Sequence, residues 1–332
     1  MPPERVAKEA YGFVPMPNPS SGSSCDPPDD AQHSATPVVP GLAGVFAPIC
    51  TPFAANEDVD DGALRFNLER YAMTGLRGYL VLGSNGENRS LDAGEKLHVL
   101  ATVVRHRAPG QIVLAGAAYD AQRDAERFIA AAADLGADFA LVLSPGYFRR
   151  QMTEAVLERY FASLADRARI PILLYNAPGF CGITLSPALV ERLSRHPNIA
   201  GIKDSASSGI EHFLPFQGPT FAVLAGSANF LFPAMLGGSP GGTVSLANSF
   251  PAVALRLFEY GWARDEVGGP PYQAWVGRVN AAISGAHGVA GVKAAMDLAG
   301  FRGGIPRRPL LPLEDAEVAA LRSLLAAEGL LP

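Results

Sequence analysis

Short apolar runs alternate with longer amphipathic stretches along most of the chain. From Gly44 onward the apolar runs are Gly44–Ile49, Gly78–Leu82, Gln111–Gly116, Phe139–Leu143, Pro171–Tyr175, Ala200–Lys203, Phe221–Ala225 and Gly242–Ser245. Runs this short, bounded by Gly, Pro and Ser and lacking polar alternation, predict strands buried on both faces. The stretches between them, including Asp61–Thr74, Ala93–Arg107, Ala121–Leu135, Thr153–Ala168 and Ser186–Arg195, predict helices. Strand–helix alternation implies parallel strands, and eight such units predict an α/β fold of the TIM (β/α)8 barrel class over residues 41–268. An open doubly wound sheet would carry a glycine-rich fingerprint after its first strand, and Pro48-Ile49-Cys50-Thr51-Pro52-Phe53 has none. Residues 269–332 add a C-terminal helical extension, with Ala274–Ser284, Val292–Leu298 and Ala316–Ala327 as its candidate helices.

Composition changes this picture at one end only. Residues 1–40 hold nine prolines around Ser20-Ser21-Gly22-Ser23-Ser24, too little apolar surface to order a core, and predict a disordered or surface-draped arm. The arm lacks the apolar centre of a secretory signal, and Glu4 and Glu9 suit a transit peptide poorly, so a cytoplasmic setting is expected. No apolar run approaches the roughly 18 residues of a membrane span. The formal charge of −5, with no long Lys/Arg run, argues against a nucleic-acid partner and for a small-molecule ligand. Cys25, Cys50 and Cys181 are widely spaced and make neither a disulfide framework nor a cysteine-rich metal site. His98, His106, His196, His212 and His287 show no HxH or HExxH spacing, so no metal and no cofactor are expected.

Chemistry concentrates where two of the runs end. Ala200-Gly201-Ile202-Lys203-Asp204-Ser205 delivers a lysine at the end of an apolar strand, where lysine is rare unless it snorkels to solvent or serves a purpose. The preceding run ends in Tyr175-Asn176-Ala177-Pro178, and consecutive strands of a parallel barrel finish at one mouth, so Tyr175 and Lys203 would share a site. An ordinary lysine, with a pKa near 10.4, is almost wholly charged at neutral pH; desolvation favours the neutral amine, which attacks keto groups to form a Schiff base. A phenol beside it would pass the protons. The second run leads into Gly83-Ser84-Asn85-Gly86-Glu87, whose glycines allow tight turns that aim the Ser84 and Asn85 amides at a carboxylate. Tyr147, in Ser144-Pro145-Gly146-Tyr147-Phe148-Arg149, offers a second phenol near the same face.

These motifs carry a resemblance. GSNGE at Gly83–Glu87, PGYFR at Pro145–Arg149, YNAP at Tyr175–Pro178 and GIKDS at Gly201–Ser205 resemble, in order and spacing, the dihydrodipicolinate synthase/N-acetylneuraminate lyase family of class I aldolases, over about residues 42–330. Within it, GSNGE, LAGSA at Leu224–Ala228 and Gly241–Asn248 are most similar to 4-hydroxy-2-oxoglutarate aldolases, with fungal-type 2-keto-3-deoxy sugar-acid aldolases also similar. The resemblance implies that Lys203 forms the Schiff base, Tyr175 shuttles protons, Ser84 supplies the hydroxyl between two tyrosines, and Tyr147 is inserted by a neighbouring subunit of a homodimer or homotetramer. It further implies substrate-binding positions at Asn85, Gly83, Ser205 and Ser245. The activity expected is reversible cleavage of a 4-hydroxy-2-oxo acid, such as 4-hydroxy-2-oxoglutarate, to pyruvate and an aldehyde, glyoxylate. A sugar-acid aldolase, a synthase-like condensation and a non-catalytic keto-acid sensor are the alternatives. Where the family's synthases carry an arginine for the carboxylate of aspartate semialdehyde, this chain has Phe180. Asp297, Arg302, Arg307 and Arg308 read as solvated or inter-element charges.

Overall fold

A computed structural model describes residues 39–207 and 209–331. The N-terminal arm, apart from its last two positions, and Cys25 lie outside the described residues. Eight parallel strands close into a barrel in chain order: β1 Gly44–Pro48, β2 Gly78–Val81, β3 Ile112–Ala117, β4 Phe139–Leu143, β5 Ile172–Asn176, β6 Ile199–Asp204, β7 Ala222–Ala225 and β8 Gly241–Thr243. Nearly every strand residue is buried, which explains the unbroken apolar runs: one face fills the barrel and the other lies under helices.

The helices begin where side chains satisfy their first amides. Asp60 accepts from Ala63 N at 2.8 Å to start Asp61–Ala72, Asp92 and Glu95 form a capping box on Ala93–His106, and Thr153 and Ser186 cap Glu154–Arg167 and Pro187–Leu193. Gly136, at φ 93°, ends Gln122–Leu135 in the left-handed conformation that glycine adopts without strain. Two barrel helices absent from the sequence expectation, Leu231–Leu236 and Pro251–Trp262, follow β7 and β8. Leu231–Leu236 is only six residues long, too short to display a helical period.

Most element ends shift from expectation by a residue or two, and the changes near Ser245 and in the C-terminal region matter most. β8 ends at Thr243, and Ser245 lies instead in a 3-10 turn, Ser245–Asn248. Asn248 draws this turn over the barrel end: its side chain accepts from Cys50 N at 3.2 Å and donates to Pro48 O at 3.0 Å. In the C-terminal region, Gly269–Asn280 continues through a π-helical turn, Ala281–Gly285, into Ala286–Leu298, with a break in helical geometry at Gly288. The last helix, Asp315–Ala327, has a capping box from Glu314 and Glu317.

β5 and β6 do not pair in constant register. Ile172 pairs with Ile199, yet Leu173 pairs with Gly201, so Ala200 is an extra residue on β6. Beyond this bulge Tyr175 lies opposite Lys203 and Asn176 opposite Asp204. Without it, the Ile172–Ile199 register would set Tyr175 against Ile202 and turn the lysine toward the other face of the sheet.

Candidate active site

The bulge sets Lys203 and Tyr175 abreast at the barrel mouth, 4% and 6% exposed. The Lys203 Nζ lies 4.2 Å from the centroid of the Tyr175 ring. It donates to Ser205 Oγ at 2.9 Å. Ser205 Oγ in turn lies 3.4 Å from Gly226 O, and glycine is needed there, since a Cβ at position 226 would fall 2.1 Å from that oxygen. The Tyr175 hydroxyl and Ser84 Oγ are hydrogen-bonded at 3.2 Å. Burial alone would raise the Tyr175 pKa, but the Lys203 charge and hydrogen bonds with Ser84, Lys203 and Ser205 outweigh it and hold the phenol below its ordinary value.

The next residue along each strand fixes this arrangement. Asn176 Nδ2 donates to Asp204 Oδ1 at 2.7 Å, and Asn176 Oδ1 accepts from Leu185 N at 3.0 Å. Burial pushes the Asp204 carboxyl up, opposed by the bonds from Asn176 and the Ala206 amide. Gly83 packs on Leu80, where a Cβ would meet Cδ2 at 2.9 Å, and Leu82 before it has φ 62°. Asn85 Nδ2 donates to Ser245 Oγ at 2.8 Å, so two sequence-predicted binding residues meet across the mouth.

Tyr147 stands apart from this group. Its ring is 78% exposed and packs edge-on against Phe148. Asp120 Oδ1 accepts from the Gly146 and Tyr147 amides at 2.7 and 3.0 Å, while Oδ2 accepts from Arg89 at 3.2 Å. Tyr147, Arg89, Asp120, Arg149 and Phe180 line an open cleft of about 560 Å³. A second cavity, about 210 Å³, has Ser84, Tyr175, Arg89 and Phe180 in its walls with Leu82, Leu141 and Leu143. Arg89 and Asp120 leave no trace in the sequence, since a lone Arg and a lone Asp carry no spacing signal.

Two other lysines are buried, in different company. Lys293 Nζ is 2.6 Å from Glu87 Oε1 and donates to Ile305 O at 2.7 Å. Lys96 lies over the Tyr119 ring, its pKa lowered by burial and by the Arg89 charge. Arg307 is no freely solvated charge: it bonds Glu95 through both terminal nitrogens at 2.7 Å and reaches Ser90 O and Glu57 O. Arg308 pairs with Glu57, Arg302 lies over the Phe66 ring, and Asp297 Oδ1 accepts from Gly303 N at 2.7 Å. Of the histidines, His98 pairs with Asp61 and His196 with Asp166. Among the described residues no group of three or more His, Cys, Asp or Glu could hold a metal ion, and no helix is long and apolar enough to cross a membrane.

A closed (β/α)8 barrel with a buried amine beside a phenol at its mouth defines the class I, Schiff-base type of lyase, and the chain is an enzyme of that class. It belongs to the dihydrodipicolinate synthetase family, whose model matches residues 41–328. It is 33% identical over 295 residues to the probable mitochondrial 4-hydroxy-2-oxoglutarate aldolase of Emericella nidulans, covering 86% of this chain and 94% of that protein. Identity to the L-threo-3-deoxy-hexylosonate aldolase of Hypocrea jecorina is 34% over 305 residues, covering 86% and 95%. The 4-hydroxy-tetrahydrodipicolinate synthase of Xanthomonas axonopodis pv. citri is 35% identical over 297 residues, covering 86% and 94%. Among solved structures, a prophage protein of the dihydrodipicolinic acid synthase family from E. coli, in complex with pyruvate, superposes with a TM-score of 0.81 at 28% identity, covering 87% of this chain and 99% of that one.

Proposed function

We propose that the protein reversibly cleaves a 4-hydroxy-2-oxo acid, 4-hydroxy-2-oxoglutarate first among them, into pyruvate and an aldehyde, and that it acts in the cytoplasm. The observation that carries this reading is the Lys203 amine 4.2 Å over the Tyr175 ring, with Ser84 hydrogen-bonded to the phenol. In the proposed sequence, the neutral amine adds to the C2 carbonyl, and the C2 hydroxyl, protonated from solvent, leaves as water to give an iminium. The ionised Tyr175 phenol, with Ser84 at its side, takes the C4 hydroxyl proton. The C3–C4 bond then breaks, its electrons pass to the iminium as an enamine, and the aldehyde departs. Protonation at C3 and hydrolysis release pyruvate and restore the amine. The lowered pKa of Tyr175 suits this task, since a base works best when its pKa lies near the working pH. The backbone at Gly83 and Ser84, and the Asn85–Ser245 pair, would hold the substrate C1 carboxylate.

Tyr147 enters the same proposal from a neighbouring copy. Within its own chain it faces outward, and the 210 Å³ cavity beside Ser84 and Tyr175, with leucine walls, suits a phenol ring with its hydroxyl at the polar end. Tyr147→Phe and Lys203→Ala, each impaired alone, are expected to regain part of their activity when dissociated, mixed and reassembled, because some hybrid sites hold both groups. Full activity from a stable monomer would exclude the shared site.

Phe180 separates the aldol reaction from the synthase reaction. It is 66% exposed at the rim of both cavities and brings no donor to the position where family synthases carry an arginine. A carboxylate desolvated at that position without such a partner loses a charge-assisted bond worth about 1.5–3 kcal/mol, roughly a 10- to 100-fold effect, so the distal carboxylate of 4-hydroxy-2-oxoglutarate is assigned instead to Arg149 in the same cleft, to Ser205 or to loop amides. Cleavage of 4-hydroxy-2-oxoglutarate is therefore expected to exceed condensation of pyruvate with aspartate semialdehyde in kcat/KM by about that factor or more, with Phe180→Arg narrowing the gap. A wild-type preference for aspartate semialdehyde would overturn the substrate assignment. A 2-keto-3-deoxy sugar acid is the second reading, favoured by the same uncharged side chain and by the likeness to the Hypocrea jecorina enzyme, and belongs in the same comparison.

A further inference from the structure

The loop that carries Ser84 ends in a charged residue that the proposed chemistry leaves idle. Glu87 has a left-handed backbone, φ 52°, although it is not glycine. Its side chain and that of Lys293 are each 1% exposed, and their charged atoms meet at 2.6 Å. The other carboxylate oxygen of Glu87 accepts from Arg307 N at 2.8 Å, while Lys293 Nζ also donates to Ile305 O at 2.7 Å and lies 4.5 Å over the Phe53 ring. Removing two charges from water is so costly that a buried pair is seldom more stable than apolar residues of the same shape. Nor is this pair the sole tie between the C-terminal segment and the barrel, because Arg307 already grips Glu95, Ser90 and Glu57. The strain of a left-handed glutamate, roughly 1–3 kcal/mol, is a further cost that simple attachment would not require.

What the pair does determine is where the loop stands. Glu87 N donates to Ser84 O at 3.1 Å, Asn88 N to Gly83 O at 3.4 Å and Thr51 Oγ1 to Gly86 O at 2.8 Å, so the position of Glu87 is passed back to Ser84 within one turn. Asn88 Nδ2 pins the same turn to Leu82 O and Gly116 O. We propose that Glu87 and Lys293 are positioning residues, whose buried ion pair holds the Gly83–Glu87 loop where Ser84 Oγ meets Tyr175. Through it the helix Ala286–Leu298 acts on proton transfer without touching substrate. The inference rests on the reading of Ser84 and Tyr175 as the proton path.

The test compares wild type with the double variant Glu87→Gln/Lys293→Met, which removes both charges and keeps both shapes. Hydrogen exchange, urea unfolding, borohydride trapping with pyruvate and cleavage kinetics are measured on each. The expected result is an unfolding midpoint close to wild type with amides of residues 83–88 exchanging at least about tenfold faster, and those of β6 unchanged. Turnover falls by roughly tenfold while KM and the trapping rate hold, and the loss is less than additive with Ser84→Ala. Unchanged exchange in the loop, or faster exchange throughout the barrel in step with lost stability, would overturn the proposal. So would additivity with Ser84→Ala. Failure of wild type to trap pyruvate would instead count against the Schiff-base reading, and the exchange arm would still decide the positioning role.

Discussion

Borohydride added with pyruvate is expected to fix a covalent adduct on Lys203 and on no other lysine, and Lys203→Ala is expected to lose both the adduct and turnover. Burial alone does not single out this residue, because Lys96, Lys203 and Lys293 are 9%, 4% and 1% exposed. Their partners do. An amine must be neutral to attack a carbonyl, and Lys293 spends its charge on Glu87 at 2.6 Å inside the protein. Lys96 has a pKa lowered by burial, which makes it the chemical rival, but it sits on the helix Ala93–His106 against the Tyr119 ring. Among the described lysines, Lys203 alone stands at the mouth of the barrel with a phenol and a serine hydroxyl in reach. Loss of a covalent nucleophile costs on the order of 10⁴-fold or more in enzymes that depend on one. Peptide mapping of the reduced adduct checks the assignment, and an adduct on Lys96 or Lys293 would refute it.

Tyr175→Phe is expected to fold normally and to turn over roughly 10²- to 10⁴-fold more slowly, the range for a positioned acid–base group. The substitution removes one oxygen and keeps the ring beneath Lys203, so packing is preserved while Ser84 loses its partner. The pH profile gives a second readout. Burial works to raise the phenol pKa, but the Lys203 charge and the bonds with Ser84, Lys203 and Ser205 bring it below the ordinary value of 10. In the proposed scheme cleavage uses the ionised phenol, so the wild-type rate is expected to climb as pH approaches that lowered value and to level off above it. In Tyr175→Phe the climb disappears. A variant with near-normal rates and an unaltered profile would mean that the protons travel by another route.

The strands and the two residues at their ends were legible because each leaves a local trace: an apolar run, then one polar side chain. Helix starts were legible wherever a capping side chain precedes the first turn, as at Asp60, Asp92, Thr153 and Ser186. What escaped is what forms between distant segments. Glu87 could be seen only as the end of a glycine-bearing turn and Lys293 only as one more helix lysine, since nothing local reveals that a charge will be buried against another far along the chain. Arg307 is an inter-element charge, one of the two roles expected of it, but its partners Glu95, Ser90 and Glu57 lie too far along the chain to be read locally. Ser245 was placed at a strand end, and the turn that holds it depends on Asn248 reaching back to β1. Gly226 matters through the space it leaves for Ser205, a contact that neither run discloses alone.

The odd residue in β6 has a consequence for how this family of sites diverges. Whether the Lys203 amine and the Tyr175 phenol lie abreast depends on the pairing register of β6 against β5, which the bulge sets in the backbone, not on the side chain at position 200. Because Ala200 is the unpaired residue, its deletion would keep Ile199 against Ile172, Gly201 against Leu173 and Lys203 against Tyr175, whereas drawing Ala200 into the ladder would set Ile202 against Tyr175. The placing of Lys203 beside Tyr175 thus rests on backbone pairing, while Phe180, exposed at the rim, is held by no such pairing. Register and rim are therefore separable features of the site, and relatives at 33%, 34% and 35% identity to this chain carry three different activities in their names.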